Sequence, residues 1–230
     1  MVRLSNAPFI VLEGDEYLSS PIDRRPKFHL YHPHIALLSG IAWDHINVFP
    51  TFDIYTDQFR QFIELIEHNG SLIYCEADEL LVTLAKQARV DIQQIPYHTP
   101  SFQVNGNTHQ TELLFNGKTY QLSVFGKHNL MNVEGARRVC EQIGISADDF
   151  YEAISGFKGA SNRLETVAKN SSCTIFKDFA HSPSKLKATT AAVKEQFADR
   201  KLVACMELHT FSSLNSDFLS EYGGSMDKAD

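Results

Sequence analysis

Short apolar runs alternate with amphipathic segments along the first part of the chain. Residues 8–12, 35–39 and 71–75 each form such a run, with a length typical of buried strands. Apolar residues at helical spacing follow two of these runs, over residues 54–66 and 78–88. This alternation predicts an α/β fold, in which helices cover both faces of a mostly parallel sheet.

The pattern changes between residues 96 and 125. Asn116-Gly117 lies between two runs that alternate apolar and polar residues, which predicts a β-hairpin with a tight turn. Helices are predicted over residues 128–143 and 148–155, and Ser146 is placed to cap the second of them.

Strand and helix alternation resumes after a stretch that contains Gly156 and Gly159. A strand is predicted over residues 173–177, a helix over 183–197, and a further strand over 201–206. The restart and the local glycines indicate a domain boundary, with one domain in residues 1–156 and a second, smaller unit in 157–230.

Composition excludes several classes of function. The formal net charge of -7 argues against nucleic acid as the main partner, because phosphate backbones are bound by basic surfaces. The sequence contains no apolar run long enough to cross a membrane and no signal peptide. Its four cysteines form no Cys-x-x-Cys pair, which favours a reduced, cytoplasmic protein over a disulfide framework or a zinc site.

Acidic and imidazole side chains follow two of the predicted strands. Glu13, Asp15 and Glu16 come after the first, and Asp44 and His45 come shortly after the second. In open α/β sheets ligands bind beyond the carboxyl ends of the strands, and such donors suit Mg²⁺ or Mn²⁺. The alternative is that the carboxylates solvate a loop and that His45 caps a strand.

Two further groups of polar residues are candidates for nucleotide contacts. Asn129 and Asn132 share one face at the start of a predicted helix, where amides can pair with a purine edge, although helix capping explains them equally well. Arg163 could neutralise phosphate charge, and Asp178 could hold a ribose hydroxyl or a basic partner. An ordinary surface ion pair is the alternative for the last two.

Five segments, taken in order, resemble motifs of the Mur ligases, the amide ligases of peptidoglycan synthesis. They are Glu13-Gly14-Asp15-Glu16, Asp44-His45-Ile46-Asn47, Gly126-Lys127-His128-Asn129 with Asn132, Asn162-Arg163-Leu164-Glu165, and Asp178-Phe179-Ala180-His181-Ser182-Pro183. The third segment is the most specific, and the likeness extends through nearly the whole chain.

The resemblance implies a fold and a set of site residues. Residues 1–156 would be the part of a central ATP-binding domain that follows its phosphate loop, and residues 157–230 the first part of a Rossmann-like C-terminal domain. The roles it implies are Mg²⁺ ligation by Glu13 and His45, adenine contacts by His128, Asn129 and Asn132, and closure over the nucleotide by Arg163 and Asp178.

The resemblance also implies a reaction. ATP, with Mg²⁺, would activate the carboxylate of UDP-N-acetylmuramate as an acyl phosphate, which the amine of L-alanine or of a murein tripeptide attacks to give an amide. Asp178-Phe179-Ala180-His181-Ser182-Pro183 and residues 207–214 are most similar to family members that use these substrates. Of the two amines, the sequence favours the tripeptide of peptidoglycan recycling.

The chain departs from the family pattern in several places. The sequence contains neither the Gly-x-x-Gly-Lys-Thr loop nor the UDP-sugar domain of the family, Asn162 replaces an arginine, and Lys177 replaces an acidic residue. We therefore expect a ligase fragment that is inactive by itself. A non-catalytic nucleotide-binding remnant is the second hypothesis, and a metal-dependent hydrolase that uses Glu13, Asp15 and His45 is the third.

Overall fold

The computed structural model describes residues 5–230, and a parallel sheet organises their first part. Its strands and helices are β1 Ile35–Leu38, α1 Phe52–Glu64, β2 Ser71–Cys75, α2 Glu79–Lys86 and β3 Gln93–Tyr97. The strands lie in the order β1-β2-β3, and both pairings are parallel. Every residue of β2 is buried, as expected for a central strand that is covered on both faces.

Local sequence signals fix where the two helices begin. The Thr51 side chain accepts a hydrogen bond from the Ile54 N–H, and the Asp78 carboxylate accepts two from the first turn of α2. Both caps satisfy N–H groups that have no partner within the helix. The apolar face of α1 carries Phe59 and Ile63 into the core against the sheet.

An antiparallel sheet and two helices follow. Their bounds are β4 Phe102–Val104, β5 Thr111–Phe115, β6 Lys118–Leu122, α3 Lys127–Gln142 and α4 Ala147–Ser155. Asn116 and Gly117 both have positive φ, 48° and 74°, as a two-residue hairpin turn requires. The predicted hairpin is thus confirmed, and so is the Ser146 cap, whose hydroxyl accepts from the Asp149 N–H.

The last part of the described chain consists of a strand pair and helices. Their bounds are β7 Glu165–Lys169, β8 Thr174–Lys177, α5 Pro183–Gln196 and α6 Ser216–Leu219. The two strands pair antiparallel. α5 packs close to the start of α3, because Ala192 and Val193 share one apolar cluster with Phe125 and Leu164.

The prediction of an α/β fold with a parallel sheet and covering helices is confirmed. The predicted strands that correspond to β1, β2 and β8 and the five long helices formed within a few residues of their expected bounds. β3, β4 and β7 were not predicted, and Pro96 explains the first of these, because proline is tolerated in a strand only at an edge such as β3. The boundary between 156 and 157 stays a prediction. Among residues 5–230, no helix combines the length and apolar character that crossing a membrane requires.

The strand predicted over residues 8–12 is wrong. This segment belongs to no strand and lies exposed, with Ile10 at 77% and Val11 at 90% of full exposure. An apolar run becomes a strand only where a neighbour completes its backbone hydrogen bonds, and β1 pairs only with β2 in the described sheet. The run had the composition of a buried strand without the pairing.

The strand predicted over residues 201–206 is also wrong. The segment is extended but unpaired, and Val203 is 78% exposed. The backbone of Leu202 is bonded to Asp230 instead: its N–H donates to the Asp230 carboxylate and its carbonyl accepts from the Asp230 N–H. The expected Rossmann-like parallel pairing is therefore not formed here, where β8 pairs with β7.

Candidate functional site

The loop that follows β1 places Asp44 and His45 beyond the carboxyl end of that strand. Asp44 is buried, and its Oδ1 accepts a hydrogen bond from the His45 N–H at 2.8 Å. Its Oδ2 lies 3.6 Å from His181 Nε2 and 3.4 Å from Lys185 Nζ. Burial works to raise the pKa of Asp44, but these partners outweigh it and hold the pKa well below its ordinary value. The carboxylate is therefore ionised and shared between two parts of the chain.

Glu16 is the carboxylate that meets His45. Its Oε1 lies 3.4 Å from His45 Nε2 and accepts a hydrogen bond from the Tyr55 hydroxyl. The hydrogen bond to Glu16 raises the pKa of His45, and burial opposes this only in part. The edge of the Tyr17 ring packs on the imidazole, with 4.9 Å between ring centroids.

Glu13, the predicted partner of His45 in metal binding, is exposed. Within residues 5–230, no three His, Cys, Asp or Glu side chains are grouped so as to hold a metal ion. Mg²⁺ commonly takes one or two carboxylates and completes its shell with water and substrate phosphates. Glu16 and His45 fit that smaller role, in which metal binds together with a phosphate ligand, and the role of Glu13 stays a prediction.

The start of α3 carries the second group of predicted residues. Gly126 precedes the helix with a φ of 88°, and the Asn129 side chain donates to the Phe125 carbonyl at 2.8 Å. His128 is half-buried, whereas Asn132, one turn further on, is exposed. The contact made by Asn129 is the capping type of interaction that the sequence left open, and it fixes the direction of this side chain.

Arg163 and Asp178 lie beside this helix start. Leu164, which follows Arg163, shares an apolar cluster with Phe125, which immediately precedes the N-cap of α3. Burial lowers the pKa of His128, nearby Asp178 raises it, and Arg163 lowers it. Asp178 accepts from the Leu164 N–H at 2.7 Å and from the Thr189 hydroxyl at 3.4 Å, so it ties α5 to the segment before β7. The Arg163 guanidinium is exposed and lies 6.0 Å from the Phe179 ring centroid.

The turn before β7 holds Arg163 in an unusual backbone setting. Asn162 and Leu164, on either side of it, both have positive φ, 55° and 47°. Such backbone is costly for a branched apolar residue and is retained where the surroundings enforce it, here by the hydrogen bond from Leu164 to Asp178. The backbone conformation of Asn162 and Leu164 thus determines the direction in which the Arg163 side chain projects.

One short segment joins the two groups of side chains. Residues 178–185 carry Asp178 to the start of α3 and carry His181 and Lys185 to Asp44. Of these, His181 was part of a recognised motif without an assigned role, and Lys185 was not singled out. No local pattern in the sequence singles out Lys185, because its contact with Asp44 joins residues that are 141 positions apart.

A cavity of about 1040 Å³ opens from this segment. Asp178, His181 and His209 are among its polar lining residues, and Leu186 and Phe197 are part of its apolar lining. It separates β8 from the unpaired residues 201–206, which line its other side. The polar side chains therefore border a space large enough for a small-molecule substrate.

The titration of His128 tests this grouping. We expect its pKa to lie below the ordinary 6.5, to fall further in Asp178→Asn and to rise in Arg163→Gln, because the carboxylate favours the imidazolium and the guanidinium opposes it. Two-dimensional NMR of the imidazole signals measures all three values. Arg60→Gln, which removes an arginine of α1, is the control and should leave the pKa unchanged.

The same shift makes stability depend on pH. Because the folded protein binds this proton less readily than the unfolded chain, the contribution of His128 is present above the unfolded pKa and is lost as the pH falls below about 6.5.

In the NMR titration, equal His128 pKa values in the wild type, Asp178→Asn and Arg163→Gln would show that the three side chains are not neighbours.

These features define an open α/β protein whose polar site lies beyond the sheet and at a helix start. Comparison with known proteins identifies its family. The sequence profile of the Mur ligase middle domain matches residues 3–140, which is more than half of the chain. The chain belongs to the Mur ligase family.

Relatives by sequence are ligases. The UDP-N-acetylmuramate–L-alanine ligases of Caldanaerobacter subterraneus subsp. tengcongensis and Desulfitobacterium hafniense are each 27% identical to this chain, over 100% and 95% of its length. The alignments cover 50% of each of those proteins. The chain thus spans about half the length of the curated relatives it matches.

Solved structures of ligases share the fold. The UDP-N-acetylmuramate-alanine ligase of Thermotoga maritima has a TM-score of 0.62 at 18% identity, covering 90% of this chain and 49% of its own. The murein peptide ligase of Psychrobacter arcticus has a TM-score of 0.57 at 23% identity, covering 94% and 46%. The predicted likeness to the Mur ligases is confirmed by profile, sequence and fold.

Proposed function

We propose that the protein is an ATP-dependent amide ligase of peptidoglycan synthesis or recycling. The observation that carries the proposal is the convergence of three elements on one site: the loop after β1, the start of α3 and residues 178–185. Carboxylates, imidazoles and cations from separate parts of the chain meet there, as the transfer of a phosphoryl group requires.

ATP and UDP-N-acetylmuramate would react at this site in two steps. An oxygen of the substrate carboxylate attacks the γ-phosphorus of ATP, so that ADP leaves and an acyl phosphate forms. The amine then attacks the carbonyl carbon, inorganic phosphate leaves, and the nitrogen gives up a proton as the amide forms. Mg²⁺, when bound, offsets negative charge on the phosphates.

The described residues have distinct proposed roles. Glu16 and His45 hold the metal together with the phosphates, with Glu13 a further proposed ligand. His128, Asn129 and Asn132 are the proposed adenine contacts. Asn129 would use its amide oxygen, since its nitrogen donates to the Phe125 carbonyl, and the lowered pKa of His128 suits a flat, neutral base. Arg163 is free to reach a phosphate from its exposed position, while Asp178 holds α5 beside the turn that carries it.

The proposed substrates are UDP-N-acetylmuramate and either L-alanine or a murein tripeptide. The named sequence relatives are L-alanine ligases, and the solved structures include both an alanine ligase and a murein peptide ligase. Residues 178–183 and 207–214 resemble both kinds of ligase, and of the two amines we propose the tripeptide. By the same proposal these 230 residues do not complete the ligation by themselves, since their sequence offers no Gly-x-x-Gly-Lys-Thr loop for the β- and γ-phosphates.

Calorimetry with ATP tests the proposal. The 230-residue chain is expected to bind ATP more tightly with Mg²⁺ than without it, and His45→Ala should abolish the Mg²⁺ effect while leaving affinity for AMP unchanged. His68→Ala is the matched control, because His68 also meets a carboxylate, that of Asp91 at 2.8 Å, but does so just before β2 and β3.

Each other result favours a different function. ATP binding that is indifferent to Mg²⁺ would favour the non-catalytic remnant. A stoichiometric transition metal in the purified protein would favour the hydrolase. If millimolar ATP gives no heat of binding at all, the chain has no functional nucleotide site and the proposal for these residues fails.

A further inference from the structure

The buried carboxylate of Asp44 contacts the side chains of His181 and Lys185, which lie on either side of the N-cap of α5. His181 lies just before α5 and Lys185 lies in its first turn, and both face the same oxygen, Oδ2, at 3.6 and 3.4 Å. Lys185 and Asp44 are 141 positions apart in the sequence. The contact therefore links the sheet of the first part of the chain to the first helix of the second part.

The two oxygens of this carboxylate have separate partners. Oδ1 accepts from the His45 N–H within the same loop, so only Oδ2 reaches across to α5. A buried carboxylate is strongly unfavourable unless it is paired, so the Lys185 cation and the neighbouring His181 side chain make this position tolerable for an acid. Undocking α5 would leave Asp44 without these partners.

Neighbouring contacts extend the same junction. The Trp43 ring meets the Phe218 ring of α6 edge-on, with 6.1 Å between centroids. The Tyr222 hydroxyl donates to the backbone carbonyl of His181, which fastens the segment after α6 to the residue that Asp44 holds. One dipeptide of the β1 loop thus contacts both helical segments of the last part of the chain.

We propose that Asp44 is a positioning residue: a latch, formed with His181 and Lys185, that holds α5 and the segment around α6 on the loop beside Glu16 and His45. The latch acts through charge, not through shape. It sets the position of α5 and α6 relative to Glu16 and His45, the proposed metal ligands, whatever substrate the protein uses.

Hydrogen exchange of the 230-residue chain tests the latch, with mass spectrometry locating the change. Asp44→Asn keeps the shape but removes the charge, and we expect exchange in residues 183–190 and 216–222 to become roughly tenfold faster or more, with β2 and α2 unchanged. Asp57→Asn makes the same charge change in an exposed ion pair with Arg60 and should alter neither region.

If Asp44→Asn does not fold, variants of the exposed residue Lys185 test the latch instead. Lys185→Met should speed exchange in the same two regions about threefold, since His181 remains, and Lys185→Arg should restore the wild-type rate because the cation is kept. A purely structural role predicts faster exchange throughout the chain, or equal rates for the methionine and arginine variants. Either of those results, or unchanged exchange in every variant, overturns the latch.

Discussion

Alanine at position 126 is expected to destabilise the protein by about 2–5 kcal/mol, because it adds a strained backbone to a steric clash. Gly126 has φ 88° and ψ 140°, a region that residues with a Cβ almost never occupy. A Cβ built there would lie 2.4 Å from the Cβ of Ala192 on α5. The substitution therefore also forces α5 away from the start of α3.

Two further variants separate strain from clash. Gly117→Ala, in the hairpin turn, has φ 74° with no atom near the added Cβ, so it should cost only the strain, about 1–2 kcal/mol. The double variant Gly126→Ala with Ala192→Gly removes the clash and should recover part of the loss. Urea unfolding gives each free energy. Equal costs at positions 117 and 126 would mean that α5 does not lie against the start of α3.

Local signals were sufficient for most of the helices. Ser146 and Asp78 accept hydrogen bonds from the first turns of the helices they precede, and Asn116-Gly117 adopts the positive φ values that its turn needs. These features depend on residues within a few positions of each other. Their physical basis is therefore readable from the sequence.

Strand pairing was less predictable because it depends on distant neighbours. Residues 8–12 and 71–75 have similar apolar composition, yet only the second run has a partner on each side in the described structure. The β7–β8 pairing was missed because β7 is exposed throughout and carries no apolar pattern. A run of apolar residues indicates that burial is favourable, but the fold decides whether a neighbouring strand is available.

The candidate site was predictable in its chemistry and less so in its contacts. The resemblance placed His45, His128, Arg163 and Asp178 in one site, and that assignment stays a prediction. The structure ties Asp178 to Leu164, next to Arg163, and residues 178–185 reach the loop of His45. The sequence could not distinguish Glu13 from Glu16 as the neighbour of His45, since that depends on the path of the loop that carries both glutamates. The partners of Asp44 lay 137 and 141 positions away, beyond the reach of any local pattern.

The largest loss of stability is expected from Glu134→Ala in α3, about 3–5 kcal/mol. Glu134 and Arg137 are both buried, and the Arg137 Nε donates to Glu134 at 2.9 Å. The Tyr151 hydroxyl of α4 donates to the same carboxylate, also at 2.9 Å. Alanine would remove the main counter-charge of a buried guanidinium and the acceptor of a buried hydroxyl in one step, leaving Arg137 only Glu141 at the edge of the cluster.

Denaturant unfolding of a small set of variants resolves the cause. Glu134→Gln keeps one of the two acceptor oxygens and should lose less. Replacing the pair by leucine and methionine should recover most of the loss, since no unpaired charge then remains buried. Asp57→Ala breaks an exposed pair of the same three-residue spacing and should cost less than about 1 kcal/mol. Equal losses in Glu134→Ala and Asp57→Ala would contradict burial as the source of the effect. Because His128 and Asn129 lie in the first turn of α3, a loss confined to this cluster should also weaken ATP binding, through the helix that carries those side chains.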